Sequence, residues 1–147
     1  MIEFQNLNKS YSNIDPEKII DAIELVLREE YSGEEPEISI VVISSEEMQE
    51  INNRYRKKDK PTDVLSFGTL KDYFSERDFI LPEIIICPEE VFINSKECQE
   101  SFEDSMIKVA IHGTLHLLGL DHEKSSEEEK EMFEKQDAYF LKYLNKK

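Results

Sequence analysis

The sequence predicts an α+β domain with layered, α/β-like packing: a small mixed sheet, several helices, and a metal-binding helix lying against the sheet. Three observations predict it. Short apolar runs rich in β-branched residues alternate with stretches whose apolar residues recur every three or four positions. The chain has 147 residues, which suits a single domain over 1–147 with a core of useful size. All three histidines fall between positions 112 and 122, on and just after one helical stretch.

Taken in order, Ile2 to Phe4 reads as a short strand. Asp15-Pro16 supplies an N-cap followed by proline in the first helical turn. Ile19, Ala22, Ile23, Val26 and Leu27 then keep helical spacing until Ser32-Gly33. Ile38 to Ile43 is apolar and β-branched, a largely buried strand. Ser44 with Glu47 has the capping-box pattern and opens a helix whose buried face is Met48, Ile51, Asn52 and Tyr55. That helix ends in a basic stretch before Pro61. Val64–Phe67 and Ile84–Cys87 are strand candidates, and residues 68 to 81 between them lack a clear period and suggest a mobile excursion. Ser101 and Asp104 cap a helix carrying Met106, Val109, Ala110 and Leu117. Ser126 with Glu129 caps the last helix, along which Met132, Phe133, Gln136, Phe140 and Tyr143 keep helical spacing. No repeat, linker or low-complexity tract interrupts this order.

Composition narrows the setting. No run of eighteen apolar residues offers a membrane span, and Met1-Ile-Glu-Phe-Gln lacks the basic and apolar regions of a signal peptide. Cys87 and Cys98 form no Cys-x-x-Cys pair and no disulfide framework, so a reduced cytoplasmic protein with two semi-buried thiols is expected. The net charge of −15 at first argues against a polyanionic partner and does not fit a long salt-driven coating of nucleic acid, and neither a membrane nor DNA is expected as a partner. Its distribution qualifies that. Arg54, Arg56, Lys57, Lys58 and Lys60 put five of eighteen basic residues into seven positions, while Glu127, Glu128, Glu129, Glu131 and Glu134 concentrate acid elsewhere. A local positive patch can still meet a few phosphates.

The histidines carry the chemistry. On a helix four residues advance about 400°, so His116 lies about 40° round from His112 and about 6 Å further along. Both imidazoles can reach one ion from the same face. Gly119 can stop the helix in a left-handed cap and turn the chain so that His122 returns as a third ligand. Three protein ligands leave one tetrahedral position for water, as in catalytic zinc sites. Zinc suits such a set, and nickel, cobalt or iron are also accepted by imidazole.

The spacing His-x-x-x-His-x-x-Gly-x-x-His is also that of the metzincin proteases, whose general base is a glutamate directly after the first histidine. Here that position is Gly113. The geometry for metal is kept and the peptidase's base is missing. A second stretch points to a different hydrolase. Asn52-Asn-Arg-Tyr55-Arg56-Lys-Lys-Asp59-Lys60-Pro61-Thr62-Asp63-Val-Leu-Ser66-Phe67, together with His112-Gly-x-Leu-His-Leu-x-Gly-x-Asp121-His122, resembles the YbeY family of bacterial ribosomal-RNA maturation endoribonucleases. The likeness runs from the first strand to the last helix. The chain departs from the family at Leu120, usually aromatic, and at Leu81-Pro82-Glu83, usually Leu-Gly-Asp.

The resemblance implies a metal-dependent, single-strand-directed endoribonuclease acting in small-subunit ribosomal-RNA maturation and ribosome quality control. It implies His112, His116 and His122 as ligands of one ion, usually zinc, and Arg56 as the essential arginine of the substrate groove. The implied partners are ribosomal RNA and the small subunit or its assembly factors. From the residues themselves, a guanidinium such as Arg56 can grip two phosphate oxygens and stabilise charge at phosphorus. Lys58 and Lys60 are candidates for positioning phosphates or for a solvated loop. Asp59 and Asp63 suit hydrogen bonds that tie down the turn. Asp121 suits a turn or an outer-shell contact to a ligand histidine more than acid–base duty. A metallopeptidase-like hydrolase and a non-catalytic ribosome-assembly factor are the alternative functions.

Overall fold

Alternation along the central strands decides which layer each helix occupies. The computed structural model describes residues 1–70, 81–120 and 125–146. Four strands, β1 (Ile2–Asn6), β2 (Ile38–Val42), β3 (Val64–Phe67) and β4 (Glu83–Ile86), form one sheet in the order β1-β2-β4-β3. β1 and β4 run parallel to β2, and β3 runs antiparallel to β4. The sheet is therefore mixed, as the sequence predicts. The helices are α1 (Pro16–Glu30), α2 (Ser45–Arg56), α3 (Pro88–Glu97), α4 (Phe102–Leu117) and α5 (Ser126–Asn145).

Successive strand residues point to opposite faces. Ile38, Ile40 and Val42 of β2 and Ile84 and Ile86 of β4 meet the apolar stripes of α1, α4 and α5 in the main core. Val41, Ile43, Leu65, Ile85 and Cys87 join a smaller cluster on the other face, closed by Met48 and Ile51 of α2. The result is a small α+β fold with its sheet between α2 and the larger helical layer. Burying each large aliphatic side chain stabilises it by about 1.5–3 kcal/mol, so the main core dominates.

The helix starts follow local chemistry. The Asp15 carboxylate accepts from Glu17 N–H at 3.0 Å, with Pro16 next to it, and Ser44 Oγ accepts from Glu47 N–H at 3.2 Å. Ser101 Oγ accepts from Asp104 N–H at 3.1 Å. The last helix begins one residue earlier than its sequence pattern suggests, because Ser125 rather than Ser126 caps it, through Glu128 N–H.

Other expectations are revised by packing. Helix α3 is not among the sequence expectations, because it has no clear apolar period: Val91 is buried, while Phe92 and Ile93 are exposed. Tyr55 is 61% exposed rather than part of the α2 core face. Its ring meets Phe67 edge-on at 5.2 Å, over the outer strand β3, with its other side open. On α5 the buried residues are Met132, Tyr139 and Tyr143, whereas Phe133 is 40% exposed. Two ion pairs fasten α5 to α1, Lys135 to Glu30 at 2.6 Å and Lys142 to Glu29 at 2.7 Å. The hydrogen bond from Lys135 holds the Glu30 carboxyl below its ordinary range. A depressed carboxyl contributes stability above its unfolded pKa and loses it as pH falls through the folded value.

The two cysteines differ instead of both being semi-buried. Cys98 is exposed, and Cys87 is fully buried, where desolvation pushes its thiol up to about 11. Since the thiolate is the reactive form, iodoacetamide at neutral pH is expected to label Cys98 alone in the folded protein. Both thiols should label in denaturant. Equal labelling of Cys87 in native protein, read by peptide mass spectrometry, would contradict this core.

Among the described residues, no helix is long and apolar enough to cross a membrane. Residues 71–80, most of the expected excursion, lie outside the described residues.

Candidate metal centre

Helix α4 is buried on most sides, through Met106, Ile107, Ala110, Ile111, Gly113, Thr114, Leu115 and Leu117. The half-exposed residues Lys108, His112 and His116 recur every fourth position and make one outward stripe. The imidazoles of His112 and His116 sit edge to face with ring centroids 4.9 Å apart. The pair that the spacing predicts is thus brought together.

Two residues of α5 hold the first ring. His112 Nδ1 lies 2.8 Å from Gln136 Oε1, and the Phe133 ring lies 5.7 Å from the imidazole at 32°. A carboxamide oxygen only accepts, so this contact suits the tautomer with its proton on Nδ1, which leaves the lone pair of a neutral ring on Nε2. Sequence reading placed Gln136 on the helix face without giving it a task. Its signal was a polar residue four positions after Met132, on a face otherwise apolar.

Gly119 ends the helix as its position suggests. Its φ is +99°, its N–H donates to His116 O at 2.9 Å, and Leu120 N–H donates to Leu115 O at 3.1 Å. This is a Schellman closure, which requires the left-handed residue that glycine supplies without a Cβ penalty. Leu120, the departure from the usual aromatic, packs against the main core beside this turn. His122 and Asp121 lie outside the described residues. Among the described residues no three His, Cys, Asp or Glu side chains gather as a metal cage.

Gly113 has a packing reason. A Cβ there would stand 2.9 Å from Ile84 Cγ2 and 3.2 Å from Ser66 Oγ. The Ser66 hydroxyl donates to Gly113 O at 3.1 Å. The glycine lets α4 approach β3 and β4, and the direction a side chain would take leads into the sheet.

The basic residues lie on another element. Arg56 closes α2, and Lys58 and Lys60 are exposed in the turn that follows. Lys57 is left-handed at φ 60°, with its N–H donating to Asn53 O at 3.1 Å. Asn52, 1% exposed, donates from Nδ2 to Lys60 O at 2.8 Å, while its Oδ1 has no hydrogen-bond partner among the described residues. Gln49 Nε2 donates to the Asp59 carboxylate at 3.0 Å, and Asp63 accepts from Asn94 at 3.2 Å. The two acids tie the turn down, as short acids near Pro61 are expected to. From this turn the chain enters β3, whose Ser66 reaches the α4 backbone between the histidines. That strand is the connection between the basic turn and the imidazole pair.

Comparison with known proteins bears on the whole chain. The family profile described as Endoribonuclease YbeY matches residues 2–144. An Endoribonuclease YbeY of Thermotoga neapolitana is 41% identical over 107 residues, covering 73% of this chain and 67% of that one. One of Staphylococcus aureus is 39% identical over 132 residues, covering 86% of this chain and 84% of that one. The solution structure of a Thermotoga maritima protein superposes with a TM-score of 0.68 at 32% identity, covering 99% of this chain and 91% of that one. With the profile spanning nearly every residue and the fold shared, the chain belongs to the Endoribonuclease YbeY family.

Proposed function

We propose that this chain is a metal-dependent endoribonuclease that cuts single-stranded segments of small-subunit ribosomal RNA during maturation and ribosome quality control in the cytoplasm. The family supports a hydrolase acting on RNA phosphodiester bonds. The observation that carries the metal reading is the His112–His116 pair, with His112 hydrogen-bonded at Nδ1 so that Nε2 is the lone-pair nitrogen. Imidazoles arranged in this way fit zinc, and fit nickel as well. His112, His116 and His122 would hold the ion, and Asp121 would orient the third imidazole or its turn. An ion bound there supplies Lewis-acid polarisation of a phosphoryl oxygen and acidifies water.

The protein's own groups supply the rest. The Arg56 guanidinium donates to two phosphate oxygens and stabilises the charge that develops at phosphorus. Lys58 and Lys60 hold flanking phosphates from the turn that Asn52 and Gln49 clamp. The ribosomal small subunit or its assembly factors deliver the RNA.

Arg56→Ala is expected to fold, to keep one metal ion per chain, and to lose RNA cleavage by roughly 10²–10³-fold, the loss typical of one transition-state donor. The check is cleavage of a ribosomal-RNA precursor by purified protein, with metal content and Tm measured on the same samples. Full activity would remove Arg56 from the mechanism.

A further inference from the structure

We propose that Gln136 is a positioning residue for the metal centre. It fixes the His112 imidazole with its proton on Nδ1, so that Nε2 is presented as the ligand. The inference rests on the reading of the histidines as metal ligands, and it assigns a role to a residue outside both motifs of the sequence.

The geometry gives three reasons. The contact is short, 2.8 Å, and joins two helices across 24 residues of sequence. It is also in register. Lys108 Nζ sits 4.8 Å from the Phe140 ring, and one turn along α4 His112 meets Gln136, one turn back along α5. The helices therefore run antiparallel, and the step of four from Lys108 to His112 on α4 is matched by the step of four back from Phe140 to Gln136 on α5. Finally, α5 is anchored from its other side by Lys135–Glu30 and Lys142–Glu29, so Gln136 sits on an element that is held in place. Lys135 is the immediate neighbour of Gln136, so the anchor acts within one residue of the contact.

The chemistry follows from the ring. A neutral imidazole has two tautomers, and the hydrogen bond at one nitrogen selects which nitrogen is left to ligate. An acceptor on Nδ1–H also fixes the rotation of the ring about its own axis. Loss of such a contact typically costs 10–100-fold in metal affinity. A carboxylate in the same place accepts the same proton and makes the ring a stronger donor to the ion.

The test uses the full chain and three proteins: wild type, Gln136→Met and Gln136→Glu. Methionine keeps the length and packing of the stem but removes the acceptor, and glutamate keeps the acceptor. Zinc affinity is measured by competition with a chelating dye, and the His112 tautomer by long-range ¹H–¹⁵N NMR on metal-free protein. Gln136→Met is expected to weaken zinc binding 10–100-fold and to shift His112 away from the Nδ1–H form. Gln136→Glu should restore both to the wild-type value or beyond. Zinc affinity of Gln136→Met within twofold of wild type would overturn the proposal. So would an equal loss in both variants, because a purely structural role makes no distinction between acceptor and non-acceptor. If wild type itself takes up no zinc, nickel or cobalt, the metal reading fails and the proposal falls with it. Normal uptake by wild type with no change in the variants sinks the Gln136 role alone.

Discussion

His116→Ala is expected to abolish stoichiometric metal and to reduce RNA cleavage by at least roughly 10³-fold, since a bound ion contributes several kcal/mol of transition-state stabilisation. The substitution should leave the fold in place. His116 is half-buried on the outward stripe of α4, and the core side of that helix is made by Ile107, Ala110, Ile111 and Leu115. The metal-free variant should therefore keep the stability of the metal-free wild type to within about 1 kcal/mol. A ligand at 100 times its Kd stabilises the native state by about 2.7 kcal/mol, so zinc should raise the wild-type Tm and not that of the variant. Metal content by mass spectrometry, thermal melts with and without zinc, and cleavage of ribosomal-RNA precursor check the three parts. Unchanged metal in His116→Ala would remove the histidine pair as a site. Cleavage that survives the loss of metal would leave the site intact but take it out of the reaction. RNA binding without cleavage by the wild type would favour an assembly factor.

Gly113→Glu is the second substitution of large expected effect. It installs the residue that the protease spacing lacks, and on sequence alone it looks like a conversion. The structure predicts an unfolded or severely destabilised protein with no peptidase activity. A Cβ at 113 would stand 2.9 Å from Ile84 Cγ2, on a β-branched side chain that is fully buried in the central part of the sheet. Such a side chain is stiff at χ1 and cannot swing its γ-methyl aside freely. Overpacking of this kind costs about 1–3 kcal/mol, and an unpaired buried carboxylate adds several more. Against a total of about 5–15 kcal/mol, that removes most of the stability. Gly113→Ala isolates the steric part. Its helix-propensity gain of about 1 kcal/mol partly offsets the crowding, leaving a net loss of up to about 2 kcal/mol. Urea unfolding of both variants and a peptide-hydrolysis assay of Gly113→Glu provide the check. A Gly113→Ala protein more stable than wild type, or a well-folded Gly113→Glu protein, would contradict the close approach of α4 to the sheet.

These substitutions separate two meanings of the same glycine. Read as a letter, Gly113 is a missing general base. Read in the fold, it is a position at which α4 packs too closely on β3 and β4 to leave room for a side chain, with Ser66 bonded to its carbonyl. Tyr55 shows the same limit from the other direction. Its spacing matches the buried face of α2, but helical periodicity says only that residues share a side, and the small sheet ends beneath the last turn.

What the sequence determined by itself is whatever depends on near neighbours along the chain. The capping pairs at Asp15, Ser44 and Ser101, the four-residue step from His112 to His116, and the left-handed stop at Gly119 are set by local backbone chemistry, and all were legible. The apolar, β-branched run of β2 likewise announced a largely buried strand. The tertiary structure decided what depends on residues far apart in the chain. It chose the strand order, it put Ile84 and Ser66 against Gly113, and it laid α5 along α4 so that Gln136 reaches His112. Contacts of that kind leave no period in the sequence, because they are selected by how the layers pack and not by any spacing within one element.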